Sequence, residues 1–293
     1  MKNRGRLTRR SFLKLIGMAV LDFSLLAIGS AAYGAFVEPS LFKVETIPLK
    51  IPRLSRRFSG LRVAQLSDIH MGGWMNAGRF QRVVDLLIAE KPDVLLITGD
   101  FLIGRELDGV SKQAVNDLTV GLSSLAAAIP TFAVLGNHDY WSDAEAIRRM
   151  LKTCGIRDLT NTVFTLSREN DNLHLCGLDD LWEGNPRLDA VLAQLTDDGA
   201  AILLAHEPDY ADTSAATGRF DLQVSGHSHG GQVVLPFLGP PVLPYLGNKY
   251  PSGLYKVGNM FQYTNRGVGM SRLAIRINCP PEITIFVLEG MVS

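Results

Sequence analysis

Five of the six histidines in this 293-residue chain lie in short polar clusters, most of which also contain aspartate or asparagine. The clusters are Asp68-x-His70, Gly99-Asp100, Gly136-Asn137-His138-Asp139, His206 and Gly226-His227-x-His229. A single such histidine is usually structural, but five in similar settings are hard to explain in that way. Imidazole, carboxylate and amide ligands without thiolates suit Mn, Fe, Zn, Ni or Mg, rather than copper(I) or an iron–sulfur cluster. These residues therefore predict a divalent metal site.

Each cluster follows an apolar stretch that the sequence pattern predicts to be a β-strand. These strands are predicted at residues 61–66, 93–98, 131–135, 201–205 and 220–225. Helices are predicted after Asn76, at about 111–128 and from near Ser142, and further strands at 162–167, 172–177, 260–264 and 273–287. Because α/β proteins build their sites at the carboxyl ends of strands, the clusters are expected to meet at one edge.

In order and spacing, the five clusters resemble the motifs of the calcineurin-like metallophosphoesterase family. Three further segments, 226–232, 263–269 and 278–280, resemble the YaeI/YkuE-type phosphodiesterase branch, whose members carry an N-terminal twin-arginine signal or membrane anchor. The resemblance implies an α/β fold, a four-layer α/β/β/α sandwich of the metallophosphoesterase type. The active site would lie at the carboxyl ends of the strands.

The resemblance also implies two divalent metal ions per chain, with manganese as the expected metal and Fe, Zn, Ni or Mg as alternatives. Each metal would have its own set of ligands: Asp68, His70 and His229 for one, and Asn137, His206 and His227 for the other. Asp100 would bridge both metals, a role that a carboxylate with two oxygens can fill and an imidazole cannot.

In such a site, a hydroxide bridging the two metals attacks the phosphorus atom. His138 is not needed as a ligand, and the role that the resemblance implies for it is to protonate the leaving oxygen or to steady the phosphate. Asp139 would orient the His138 imidazole. Arg266 could clamp a substrate phosphate with its guanidinium, and a purely structural arginine is an equally open alternative.

The chain has zero formal net charge, with 29 basic and 29 acidic residues, but these charges are unevenly distributed. Residues 1–14 hold six basic and no acidic residues, which leaves 23 basic against 29 acidic residues in 15–293, a formal charge of −6. Nucleic acid is not expected as a partner, because binding a phosphate backbone needs a basic surface. Three scattered cysteines do not make a disulfide framework.

The basic start contains Thr8-Arg9-Arg10-Ser11-Phe12-Leu13-Lys14, which closely resembles a twin-arginine export motif. The apolar stretch 15–37 that follows is long enough to cross a bilayer. We therefore predict a twin-arginine signal or membrane anchor at 1–37, a linker at 38–57 and the metallophosphoesterase domain at 58–293. The membrane and the twin-arginine export machinery are the expected partners, and the positive-inside rule places the domain on the periplasmic, extracytoplasmic side.

Two weaker features accompany the predicted site. Residues 233–250 form an apolar, proline-rich stretch just after the last histidines. We expect this stretch to pack over the sheet edge rather than to line a groove for acyl chains or face a membrane. Trp182 either flanks the substrate entrance or is structural.

Together these features predict a membrane-associated or exported metal-dependent phosphodiesterase that hydrolyses a phosphodiester or pyrophosphate bond. The substrate would be a phosphoester, either lipid-linked or nucleotide-sugar-linked. One alternative is a pyrophosphatase acting on UDP-2,3-diacylglucosamine in lipid A synthesis, although that substrate is cytoplasmic. The others are a phosphomonoesterase and a non-catalytic metal-binding membrane scaffold, and the full set of ligands disfavours the scaffold.

Overall fold

The computed structural model describes residues 8–104, 112–271 and 273–292. Residues 1–7, with Lys2, Arg4 and Arg6 of the predicted signal, lie outside the described residues, as does Ser111 at the predicted start of a helix. In chain order the strands are β1 (Lys43–Ser55), β2 (Arg62–Leu66), β3 (Val94–Thr98), β4 (Thr131–Val134), β5 (Arg157–Asp158), β6 (Val163–Arg168), β7 (Asp171–Gly177), β8 (Ala200–Leu204), β9 (Leu222–Ser225), β10 (Gly253–Val257), β11 (Met260–Thr264) and β12 (Glu282–Val292). The helices are α1 (Arg9–Phe36), α2 (Ala77–Ala89), α3 (Lys112–Ala128), α4 (Asn137–Ser142), α5 (Ala144–Cys154), α6 (Leu188–Gln194) and α7 (Ala211–Ala216).

The strands form two six-stranded mixed sheets. The first has the order β1-β12-β2-β3-β4-β5 and the second the order β10-β11-β9-β8-β7-β6. In the first sheet β2, β3 and β4 are parallel to one another, and in the second β7, β8 and β9 are. The carboxyl ends of these parallel strands carry the predicted site residues.

Three apolar layers hold the fold together: one lies between the two sheets, and one lies between each sheet and the helices outside it. Helices α2, α3 and α5 cover the outer face of the first sheet, packing on residues such as Leu66 and Ile97. Intervening residues such as Leu96 face the second sheet. Helices α6 and α7 cover the outer face of the second sheet. Because successive strand residues point to opposite faces, both faces of each sheet are buried, and the predicted four-layer α/β/β/α sandwich is confirmed.

Most of the predicted elements occur where the sequence pattern indicates. Helix α2 begins after Asn76, whose side chain accepts a hydrogen bond from the Arg79 backbone N–H, as expected of an N-cap. The linker predicted at 38–57 is wrong, because β1 occupies 43–55 and pairs with β12. This segment contains Pro48 and Pro52, which have no backbone N–H. They are tolerated because β1 is an edge strand that pairs on one side only, so not every backbone N–H is needed for the ladder.

The strand predicted at 273–287 is misplaced, since β12 begins only at Glu282. Pro280 and Pro281 supply no backbone N–H, so a ladder cannot run through them. The preceding residues form an irregular segment around Arg276, whose guanidinium is fully buried and donates to the backbone carbonyls of Gly267 and Gly269 at 3.1 and 2.7 Å. The end of helix α1 packs against this segment.

Helix α1 spans 28 residues and is exposed along most of its length. Thr8 caps it by accepting a hydrogen bond from the Ser11 backbone N–H. Within Arg9–Ser40 an 18-residue stretch has a mean hydropathy of 1.9, and among the described residues this is the one helical segment long and apolar enough to cross a membrane. By length and composition it suits either a membrane anchor or a signal sequence.

Candidate metal centre

The predicted ligands come from both sheets and meet at one edge of the sandwich. Turns after β2 and β3 carry Asp68, His70 and Asp100, and α4 starts at Asn137 just after β4. In the second sheet His206 follows β8, and His227 and His229 follow β9. All seven are buried. Strand ends of the two sheets thus bring seven polar side chains together in one buried site.

Five of these side chains stand on backbone in the left-handed region, which non-glycine residues seldom adopt. The φ angles are 52° at Asp68, 48° at His70, 58° at Asp100, 68° at His227 and 52° at His229. Backbone of this kind costs free energy and persists where surrounding structure enforces it, most often at functional sites. At each of these five positions the left-handed backbone turns the chain sharply after the strand, so that the side chain points towards the other ligands.

A first group of ligand atoms is formed by Asp68, His70 and His229. The Nε2 atoms of the two histidines are 2.9 Å apart, and Asp68 Oδ1 is 3.3 Å from His229 Nε2. The Nδ1 atoms of both rings are buried and have no hydrogen-bond partner among the described residues. Two ring nitrogens and a carboxylate oxygen directed at one another need a positive charge between them, so this group fits a divalent ion.

A second group is formed by Asn137, His206 and His227. His227 Nδ1 lies 3.0 Å from Asn137 Oδ1 and 3.2 Å from His206 Nε2. The outer nitrogens of both rings form hydrogen bonds. His206 Nδ1 donates to the Thr98 carbonyl and His227 Nε2 donates to the Tyr245 carbonyl, with a distance of 2.7 Å in both cases. Such bonds fix the tautomer and leave the inner nitrogen free as a ligand.

Asp100 lies between the two groups. Its Oδ2 is 3.5 Å from His70 Nε2 in the first group and 3.3 Å from His206 Nε2 in the second. Its Oδ1 accepts a hydrogen bond from the His138 backbone N–H at 3.0 Å. Asp100 Oδ2 thus lies within reach of a ring nitrogen from each group, and Asp68, Asp100 and His206 also form a close group of their own.

Neighbouring imidazoles keep the buried carboxylates ionised. Burial by itself raises the pKa of Asp68 and Asp100, but His229 beside Asp68 and His206 beside Asp100 hold both pKa values below the usual range. The ionised carboxylate is the form that binds a metal.

Two of the imidazoles are neutral at physiological pH. Burial and the charge of His138 lower the pKa of His70, and burial and the charge of His206 lower the pKa of His227 to about 4. Burial also acts to lower the pKa of His206, but the Asp100 carboxylate outweighs it and raises that pKa. A metal ion in the second group would take the place of the His206 proton.

His138 lies beside the ligands on the first turn of α4. Its Nδ1 donates to the Ile103 carbonyl, and its ring meets the His70 ring edge-on at 4.6 Å between centroids. A ring nitrogen lies within 4.8 Å of ligand atoms of His70 and Asp100. The half-buried ring is thus held beside His70 and Asp100, next to the ligand atoms.

The prediction that Asp139 orients His138 is wrong, because the Ile103 carbonyl does so. The Asp139 carboxylate accepts hydrogen bonds from the backbone N–H groups of Asp100, Phe101 and Gly136 at 2.9, 2.8 and 3.0 Å. Burial and then the Asp100 charge raise the pKa of Asp139 to about 7, against the effect of these donors. Asp139 therefore shapes the loop that carries Asp100.

The prediction that Arg266 could clamp a substrate phosphate is also wrong, and its structural alternative holds. Arg266 Nε lies 2.6 Å from Glu282 Oε2, and its NH2 group donates to Glu45 Oε1 at 3.0 Å. Two carboxylates thus occupy the guanidinium fork. Glu45 lies on β1, within the segment predicted to be a linker, so the sequence pattern did not reveal this partner.

Aromatic side chains lie beside His138 and His227. The Trp182 ring lies 5.5 Å from that of Trp141, 5.6 Å from that of Tyr245 and 6.1 Å from that of His227, all centroid to centroid. Trp182 thus lies beside the site, as one reading of the sequence predicts. Trp141 was missed, although it follows His138 by three residues on a helix and so shares its face.

Residues 61–231 match the calcineurin-like phosphoesterase family. The chain is 35% identical over 287 residues to the Bacillus subtilis metallophosphoesterase YkuE, covering 97% of this chain and 99% of that protein. It is 31% identical over 289 residues to the Escherichia coli phosphodiesterase YaeI, covering 96% of this chain and 99% of that protein. A Danio rerio transmembrane protein with a metallophosphoesterase domain is 31% identical over 96% of this chain and 63% of its own length. The chain therefore belongs to the calcineurin-like phosphoesterase family and is a metal-binding hydrolase of phosphate esters.

Proposed function

We propose that this protein is a dinuclear metal phosphodiesterase, anchored in the membrane by α1 with its catalytic domain on the extracytoplasmic side. The observation that carries the catalytic part is the position of Asp100, whose Oδ2 lies within 3.5 Å of an imidazole nitrogen from each ligand group. A single carboxylate oxygen between two ligand sets suits a pair of divalent ions about 3.5–4 Å apart.

The seven side chains Asp68, His70, Asp100, Asn137, His206, His227 and His229 would hold the two ions, with manganese as the first metal to test. When bound, such a pair supplies positive charge at the phosphate and a nucleophile at neutral pH. The chain supplies the rest. Buried ligands hold their geometry on enforced backbone, and the rings of Trp141 and Trp182 lie beside His138 and His227.

His138 would act as the general acid. Because Nδ1 is held by the Ile103 carbonyl, the proton that is transferred must come from Nε2, and the ring cannot turn away without losing that bond. Donation to the leaving oxygen matters most when the leaving alcohol is a poor leaving group, as it is in natural phosphodiesters.

The preference for diesters is tested by comparing bis-p-nitrophenyl phosphate with p-nitrophenyl phosphate, using purified protein loaded with Mn²⁺ and Asp100→Ala as the blank. We expect higher kcat/KM on the diester. Higher kcat/KM on the monoester would identify a phosphomonoesterase, and inactivity on both would favour a metal-binding scaffold. A lipid and nucleotide-sugar extract, screened with the same pair of proteins, tests the natural substrate class, pyrophosphate bonds included.

Membrane anchoring and export are supported by helix α1. At about 1.5 Å per residue its 28 residues span about 42 Å, more than the hydrocarbon core of a bilayer. Its start carries the twin-arginine motif, whose basic end stays in the cytoplasm. Replacing both Arg9 and Arg10 by lysine keeps the charge but alters the motif. We expect that variant to stay out of reach of protease added to spheroplasts, whereas the domain of the wild-type protein is digested.

A further inference from the structure

The end of α1 and the metal centre lie at the same edge of the sandwich. Strand β1, which follows α1, is parallel to β12, and β12 is antiparallel to β2. The first residue of β1, Lys43, pairs with Glu282, and Gln65 near the end of β2 pairs with Thr284, two residues along. Lys43 is therefore nearly level with the turn that carries Asp68.

Direct contacts fix α1 to this edge. The Gly34 carbonyl accepts a hydrogen bond from the Arg276 backbone N–H at 2.9 Å, and the Glu38 carboxylate accepts one from Cys279. A Cβ at Gly34 would lie 2.6 Å from the Ile277 side chain, so the helix packs closely against this segment. The Cys279 thiol in turn lies 3.2 Å from the His229 carbonyl. Cys279 therefore links Glu38, two residues after α1, to the ligand His229.

Residues 233–248, here called the apolar loop, lie beside this junction and contain no charged residue. At its start, Val234 donates its backbone N–H to the Ile277 carbonyl at 2.9 Å, beside the end of α1. Near its other end, the Tyr245 carbonyl accepts the hydrogen bond from His227. The apolar loop thus connects the membrane helix to the metal centre.

The tip of the apolar loop is exposed, contrary to the packed cover that the sequence analysis favours. Phe237 is fully exposed, and Leu238 and Val242 are 82% and 71% exposed. Three large apolar side chains together in water carry a free-energy cost that burial in an apolar phase would remove.

We propose that the apolar loop is a second membrane contact, which inserts its tip into the bilayer that α1 crosses. The active-site edge then faces the lipid headgroups, and the substrate is the phosphodiester of a lipid headgroup. Only residues 37–42 separate α1 from β1, and three of them form a 3₁₀ turn, so the domain cannot swing away from the surface. The inference rests on the proposed function, because it requires α1 to remain in the membrane.

The insertion is tested with full-length protein in phosphatidylcholine–phosphatidylglycerol vesicles. Phe237→Cys is labelled with a fluorophore that responds to polarity, and brominated acyl chains serve as the quencher. The matched control is Asn170→Cys, an exposed position in the turn between β6 and β7. Because β7 runs parallel to β8, which ends at the site, this turn lies at the opposite edge. The buried native cysteines set the background in labelled wild-type protein.

We expect the probe at 237 to shift to shorter wavelength and to be quenched at least about twofold more than the probe at 170. Equal quenching at both positions, in protein that floats with the vesicles, would overturn the membrane contact and leave the anchor intact. A shifted but unquenched probe would overturn it in favour of packing against protein, in the same chain or in a second copy. Protein that fails to float would overturn the anchor and, with it, this inference.

The substrate class is tested with the double variant Phe237→Ser, Leu238→Ser, which changes side chains that do not contact the metal ligands. We expect turnover of a phosphodiester lipid in vesicles to fall about tenfold, equivalent to about 1.4 kcal/mol. Turnover of water-soluble bis-p-nitrophenyl phosphate should be unchanged. Unchanged turnover of the lipid would contradict the proposal, and an equal fall on both substrates would show damage to the site instead.

Discussion

The carboxylate of Asp139 accepts a hydrogen bond from the backbone N–H of Asp100, with 2.9 Å between the nitrogen and Oδ2. Asp100 is the carboxylate that lies between the two ligand groups, and its own backbone is left-handed with a φ of 58°. Asp139 therefore holds the bridging residue in place from behind, through main chain rather than through the imidazole of His138.

Replacing Asp139 with asparagine should weaken metal binding without removing a ligand. The amide offers one acceptor oxygen where the carboxylate offers two, so at least one backbone N–H of Asp100, Phe101 or Gly136 loses its partner. We expect metal affinity to fall about 10- to 100-fold, as is usual for residues that support ligands. Competition with a metallochromic chelator measures this fall. Glu145→Gln, an exposed carboxylate on α5, is the control, and unaltered affinity in Asp139→Asn would refute the role.

Replacing His138 with alanine should lower the rate while the metals are retained. A general acid contributes about 10²–10⁴-fold, and the loss should be greatest for substrates with poor leaving groups. The measurement is kcat on an alkyl phosphodiester and on bis-p-nitrophenyl phosphate, together with metal content. If both substrates lost rate equally, His138 would not be the proton donor.

Chelation should remove the two metals in two steps. Asn137 supplies a neutral amide to the second group, whereas Asp68 supplies a carboxylate to the first, so the second metal is expected to be held less tightly. Metal content followed during titration with a chelator should show two transitions, and Asn137→Ala should move only the weaker one to lower chelator concentration. A single transition would contradict this difference.

Replacing Gly136 with alanine should abolish activity. A Cβ at this position would lie 2.4 Å from Asp100 Oδ1 and 2.7 Å from His206 Nε2, so two ligands would have to move. The matched control is Gly78→Ala on helix α2, where the nearest atom to a new Cβ is 3.7 Å away. That control should stabilise the fold by up to about 1 kcal/mol, through the higher helix propensity of alanine. Measurement of kcat/KM checks the loss of activity in Gly136→Ala, and thermal unfolding checks the gain in stability of Gly78→Ala.

The native cysteines should be inert to thiol reagents near neutral pH. Burial raises the pKa of Cys176 to about 12, so at pH 8 about one thiol in 10⁴ is ionised, and only the thiolate reacts. Cys154 and Cys279 are also buried. Incubation with Ellman's reagent at pH 8 should modify none of the three in the folded protein and all three in denaturant. Rapid reaction in the folded state would show that the burial is incomplete.

Local sequence pattern predicted the strands that carry the ligands, because buried strands are apolar runs that end in polar residues. The seven candidate ligands followed from the resemblance to the metallophosphoesterase family, whose motifs are short and continuous in sequence. What local pattern missed depends on partners distant in the chain. Arg266 pairs with Glu45, 221 residues away, and nothing near Arg266 indicates this. Asp139 lies next to His138 in sequence, but helix α4 directs its carboxylate at the loop after β3 instead.

The order of strands in the first sheet has a consequence for the timing of biosynthesis. Strand β12, formed by the last described residues of the chain, lies between β1 and β2 and is the neighbour of both. Until the ribosome has released those residues, β1 has no strand to pair with, so residues 43–55 stay undocked. The first sheet is therefore completed only after residues 282–292 have been synthesised, long after β1 and β2.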